Sequence, residues 1–324
     1  MQSMNLLIDK WIPVQHAGLP EKITLQQLLC GEKTGELCLP RDDMEFACLQ
    51  LLVALTQVLF TPVDKKALVQ RIQKPLTLEE YVDGCEGKKD WFDLSHPETP
   101  FMQYKGVKQT KASETPLEKL LPGLNDGQSK VFINQAGLAD CLCESCAAIA
   151  LYHYSNNCPN MGGGPGGGIK SGLRGNSPIS TLVSDPSLRR TIWLNTLTSE
   201  SVDRFFQDDQ GSYVDTPNYV DKVCAGDKIY PHKISLTRGL FWCPVRFEML
   251  DMQTSKHCSH CGCKGRAYTY FRKEPFGYQM EGIWNHPYSP MFFSTKKGKK
   301  EYYVPSINSD YPSWPLLGKF IRGC

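Results

Sequence analysis

The sequence predicts an α+β protein: an irregular globular fold with a helix-rich N-terminal half and a β-rich second half, stapled by a four-cysteine zinc site. Two observations predict it. Apolar residues recur at helical spacing through the first half, whereas β-branched and aromatic runs dominate from Pro178 onward. Two CxxC pairs, Cys143 with Cys146 and Cys258 with Cys261, stand 111 residues apart. That is too far for a compact zinc ribbon, so a shared metal would join distant parts of the chain. At 324 residues there is room for a substantial core and about two domains.

The elements follow in order. Met4 to Val14 alternates apolar and polar residues around Pro13, the pattern of a short edge strand. From Arg41, "RDDMEFACLQLLVALTQVLF" reads as a helix with Asp42 or Asp43 as cap and a wide apolar face. "KKALVQRIQ" is a second helix that stops at Pro75, and "TLEEYVDGC" opens a third through a capping box of Thr77 and Glu80. Trp91 to Thr115 is irregular, and Pro116 suits the first turn of a short helix, "PLEKLL". "CESCAAIALYHY" is helical. The runs "PISTLVS", "RRTIWL", "GLFWCPVRFEML" and "AYTYF" read as strands, and "MFFSTKKGKKEYYVP" as a hairpin over Gly298. No internal repeat is present.

Composition excludes several classes. A net charge of +2 rules out a polycation, so nucleic-acid binding would come from local patches or from a larger assembly. No stretch approaches about 18 consecutive apolar residues, and "MQSMNLLIDKWIPV" lacks the apolar run of a signal peptide. The expectation is a cytoplasmic protein with no membrane partner. In a reducing compartment, fourteen cysteines point to metal ligation at the clusters and to small buried hydrophobes elsewhere.

Each CxxC pair lets two thiolates converge on one metal from a tight turn, and four thiolates complete a closed tetrahedral zinc site. Cys141, Cys263, His257 and His260 lie close enough to compete as ligands. A zinc-dependent enzyme acting on nucleic acid is one alternative. His96-Pro97-Glu98 upstream of Cys143 imitates a deaminase signature, but Leu142 stands where that signature needs proline. Glu98 also sits between two prolines, where its helix cannot form.

Asn160 to Gly175, "NMGGGPGGGIKSGLRG", holds eight glycines in sixteen residues. It misses the P-loop pattern because Ile169 precedes Lys170, and it misses the dinucleotide fingerprint because a helix, not a strand, leads into it. What is left is backbone able to approach a narrow surface such as a DNA minor groove, with Lys170, Arg174, Arg189 and Arg190 as phosphate partners. Further basic runs are Lys105, Lys108 and Lys111, and Lys296 to Lys300.

"MNLLIDKWIPV", "LPRDDMEFA", "HPETPFMQYKGVK", "TPLEKLL", "FINQ", the CxxC before "AAIAL", "GGGIKSGLRG", "RGLFW", "WNHPYSP" and "PSW" occur in one order along the chain. In this it resembles the CasA-type large subunit of the type I-E CRISPR Cascade complex. The resemblance implies a non-catalytic subunit of an RNA-guided antiviral complex. Such a subunit contacts the crRNA 5′ end, reads the protospacer-adjacent motif (PAM) on invading double-stranded DNA and recruits a helicase-nuclease effector. By position, the PAM-reading glycine loop falls on Gly164, Gly166 and Gly167, with Lys170 alongside, and the loop near the crRNA falls on Phe132 and Asn134. The family's structural zinc falls on Cys143, Cys146, Cys258 and Cys261. The family's lysine finger aligns with Pro275, leaving Lys273 as the candidate cation. Gly162, Gly163 and Pro165 are additions within the loop. Residues 1–324 would form the N-terminal globular domain of the large subunit, and the family's wedge hairpin and C-terminal four-helix bundle have no counterpart before Cys324. The remaining alternative is an assembly subunit that binds crRNA and protein partners without reading DNA.

Overall fold

"DDMEFACLQLLVALTQVL" has no glycine or proline to interrupt it, and in the computed structural model it forms the longest helix among the described residues. Those residues are 4–107, 114–121, 137, 139–157, 173, 179–206, 214–250, 252–275, 277–282, 284–290, 292–296 and 299–303. The helices are α1 (Leu25–Leu29), α2 (Asp42–Leu59), α3 (Lys65–Gln73), α4 (Leu78–Cys85), α5 (Glu144–Asn157), α6 (Leu188–Leu194), α7 (Ser199–Phe205) and α8 (Leu236–Leu240). The first strands are β1 (Ile12–His16), β2 (Leu19–Ile23), β3 (Glu36–Leu37), β4 (Thr115–Pro116) and β5 (Leu142–Cys143). Later come β6 (Lys228–Ile229), β7 (Val245–Leu250), β8 (Gln253–His257), β9 (Lys264–Tyr268), β10 (Tyr270–Pro275), β11 (Gln279–Met280), β12 (Phe292–Lys296) and β13 (Lys299–Tyr303).

The mixture of helix and strand is the α+β class the sequence predicts. Small sheets, ordered β2-β1-β3, β4-β10-β7 and β5-β9-β8, surround a helical centre where α2 packs on α5. Ala47, Cys48, Leu51 and Leu55 of α2 and Ala147, Ala148 and Leu151 of α5 are fully buried. Phe241, just past α8, unites the core: its ring centroid lies 5.2 Å from Phe92, 6.2 Å from Phe101 and 6.0 Å from Tyr152 of α5. Aromatic contacts of this kind add to simple area burial.

Several expectations hold. α3 ends before Pro75, and α4 starts on the expected capping box, with the Glu80 amide donating to Thr77 Oγ1 at 3.2 Å and the Thr77 amide to Glu80 Oε2 at 2.8 Å. β12 and β13 pair as an antiparallel hairpin.

Others are corrected. The strand near the N-terminus begins only at Ile12, and it is the centre of its sheet, not an edge. Pro13 fits there because its backbone faces the β3 side just beyond the end of β3, where its carbonyl accepts from the Cys38 amide at 3.1 Å and its missing donor breaks no ladder bond. No aspartate caps α2: Arg41 holds that position, and Asp42, Asp43 and Glu45 instead place negative charge in the first turn. "PLEKLL" gives only a 3-10 turn, Leu117–Leu120. "RRTIWL" is helical, not a strand, because Ser187 accepts from the Arg190 amide and nucleates α6. Ile179 to Ser184 of "PISTLVS" does not form a strand.

Candidate functional site

The two CxxC pairs meet in space. Cys143 ends β5 and Cys146 lies in the first turn of α5, while Cys258 and Cys261 occupy the turn between β8 and β9. β9 pairs with both β5 and β8, so the ladder itself brings the turn beside the start of α5. Gly262, at φ 71°, completes that turn in a conformation suited to glycine. Its amide donates to the Cys258 carbonyl at 2.9 Å, and the Cys258 amide donates to the Cys263 carbonyl at 2.9 Å. Across the pair, the Cys143 amide donates to Cys258 Sγ at 3.3 Å.

All four sulfurs lie within 4.8 Å of one another, and Cys143 Sγ is 3.6 Å from Cys261 Sγ. Four thiolates around zinc at about 2.3 Å would stand about 3.8 Å apart, so this donor set fits a tetrahedral ion. The competing ligands stand outside it. Cys141 Sγ donates to the His257 carbonyl at 2.8 Å, His257 Nδ1 faces the Gly262 carbonyl at 3.2 Å, and Cys263 is exposed. His260 is buried and is not part of the four-sulfur group; burial and then the Arg41 charge push its pKa down to about 4.

Hydrogen bonds from Cys146, Cys258 and Cys261 favour the Cys143 thiolate and push its pKa far down against burial, and the Lys22 ammonium adds to this. Cys146 and Cys261 are pushed up, first by their hydrogen bonds to Cys143.

Of the other predicted site residues, Phe132, Asn134, Gly164, Gly166, Gly167 and Lys170 lie outside the described residues. Lys273 is half-buried in β10, within a regular ladder opposite Phe247 of β7. The residues on either side of the glycine segment share one anchor. Gln50 of α2 accepts from Asn157 Nδ2 at 2.6 Å through Oε1 and donates to Ser180 Oγ at 2.8 Å through Nε2. Asn157 also meets His153 Nδ1 at 3.1 Å; His153 Nε2 lies 3.1 Å from Asp43 Oδ2, and Arg41 grips both oxygens of Asp43. The signal for this network was a polar residue inside an apolar helix face, since Gln50 sits among buried leucines. Lys22, beside Cys143, had no comparable signal.

Comparisons with known proteins follow the same lines. The family model described as CRISPR-associated protein Cse1 matches residues 5–321. The crystal structure of Thermobifida fusca Cse1 superposes with a TM-score of 0.65 at 19% identity, covering 97% of this chain and 60% of that one. Cse1 from Acidimicrobium ferrooxidans gives 0.67 at 15% identity, covering 98% and 60%. A chain of a CRISPR RNA-guided surveillance complex gives 0.57 at 15%, covering 97% and 64%. At such identities the likeness to these structures is one of fold. This chain spans about three fifths of the length of the first of them, at 60%.

Proposed function

The chain belongs to the CRISPR-associated Cse1 family, and from that premise we propose that it is a non-catalytic subunit of an RNA-guided interference complex, reading the PAM on invading double-stranded DNA. The observation that carries this reading is the family match along residues 5–321. In the proposed division of labour, base pairing with the crRNA reads the long target. The protein reads only the short duplex motif and helps nucleate opening.

The backbone of Gly164, Gly166 and Gly167 enters the minor groove, which at about 6 Å admits little more than a chain without side chains. Lys170 contacts phosphate, which positions the chain without specifying sequence, and Lys273 stands in for the family's PAM-probing lysine. Phe132 and Asn134 stand at the crRNA 5′ end. The subunit works in the cytoplasm beside the other Cascade subunits and recruits the helicase-nuclease. Cys143, Cys146, Cys258 and Cys261 would hold a structural zinc, which supplies a cross-link and no open coordination position, and this supports a non-enzymatic role. The Gln50 anchor supports the DNA reading too, because it joins the two flanks of the loop to the buried helix α2. No helix among the described residues is long and apolar enough to cross a membrane.

The test is the double variant Gly166→Leu/Gly167→Leu in the reconstituted complex. Affinity for PAM-bearing duplex should fall at least about tenfold, equivalent to about 1.4 kcal/mol, with assembly intact. Equal loss on PAM-free duplex would contradict PAM reading. One observation favours the assembly-subunit reading: Lys273 lies inside a strand ladder and not on a projecting finger. Binding by the unaltered complex that ignores PAM mutation would establish that reading instead.

A further inference from the structure

Lys22 lies on β2, opposite Pro13, yet its side chain leaves the N-terminal sheet for the sulfur cluster. Nζ stands 3.4 Å from Cys143 Sγ and donates to Ser145 Oγ at 3.0 Å. Among the described residues Lys22 forms no ion pair with a carboxylate. A half-buried ammonium without an opposing charge is costly, and among the described residues the acceptors beside this one are the Cys143 sulfur and the Ser145 hydroxyl. Four thiolates around a divalent ion carry two negative charges in excess, and one adjoining ammonium cancels half of that. Ser145 is itself buried between the cysteines of its pair, with Oγ 3.8 Å from Met4 Sδ, so the lysine reaches a packed position and not open solvent.

We propose that Lys22 is a positioning residue of the metal centre: its ammonium hydrogen-bonds the Cys143 thiolate, offsets the excess charge of the four-thiolate site, slows metal release and pins β2 to the start of α5. The inference rests on the four-cysteine zinc reading and extends it to a residue more than a hundred positions away in sequence, since Lys22 and Cys143 are separated by 121. Outer partners of metal ligands orient them and tune affinity in general. Here the partner also carries the N-terminal sheet, so metal occupancy and the order of that sheet are coupled.

The experiment uses the full chain in three forms: unaltered, Lys22→Met and Lys22→Arg. Zinc content is measured first, then the rate of zinc transfer to a chromogenic chelator. All three should carry one equivalent of zinc. Lys22→Met should release it about 10- to 100-fold faster, and Lys22→Arg should stay near the unaltered rate. In the unaltered chain, zinc should slow amide hydrogen exchange in β2 more than in α3, a readout that needs no variant to fold. An unaltered chain that binds no zinc would overturn the four-cysteine reading and this proposal together. Zinc bound normally but released equally fast with and without Lys22, or β2 exchange insensitive to zinc, would overturn this proposal alone.

Discussion

Asp43 shows what one residue can hold in place. Burial opposes its charge, but hydrogen bonds from His153 and Arg41 win and keep its carboxyl far below the usual carboxylate range. A depressed carboxylate stabilises the fold fully above its unfolded value of about 3.9 and progressively less as pH falls toward its folded value. Asp43→Asn should therefore lower unfolding free energy at pH 7 by about 1–3 kcal/mol. The gap should narrow below about pH 4, which urea denaturation at both pH values would show. A gap independent of pH would assign the cost to shape and not to charge. The cysteines make a parallel prediction. Because a metal-bound thiol is deprotonated, affinity must fall with pH, and Cys261→Ser should abolish stoichiometric zinc. The four-cysteine cluster was legible because CxxC spacing is local chemistry. Which pair met which, and that Cys141 and His260 stood aside, depended on the β5-β9-β8 ladder.

At the level of elements, close approach matters as much as propensity. α8 crosses the indole of Trp284 at Gly239, where an added Cβ would overlap the ring. Trp284 is buried and its Nε1 donates to the Ile234 carbonyl at 3.2 Å, so it has little freedom to move. Gly239→Ala should destabilise by about 1–3 kcal/mol despite its better helix propensity, measured by thermal or urea unfolding. The sequence shows Gly239 but not its neighbour, which lies 45 positions away. The same limit explains α6. Thr191, Ile192 and Trp193 favour strands as single residues, but the Ser187 cap and the buried side chains of Thr191, Ile192 and Trp193 decide for a helix. α4 was legible for the opposite reason, since its whole start signal lies between Thr77 and Glu80.

Across the whole molecule, the order of motifs carried more than any one of them. The glycine segment failed every local nucleotide-binding pattern, and only its place among the other motifs led to the role proposed for it. The sequence also concealed the polar path from Arg41 through Asp43, His153 and Asn157 to Gln50 and Ser180, because its members are spread from 41 to 180. That path joins the buried centre to the flanks of the segment proposed to meet DNA. Its members gain from being satisfied together, and a break would leave buried polar groups exposed to an apolar core. As a PAM reader, this chain would confer PAM-dependent binding on an RNA-guided complex. The most direct measurement compares duplex affinity of that complex, assembled with and without the chain, on PAM-bearing and PAM-scrambled targets at one fixed salt concentration. The PAM preference should appear only when the chain is present. A preference that persists without it, or equal affinity for both targets with it, would mean that the chain does not read the PAM.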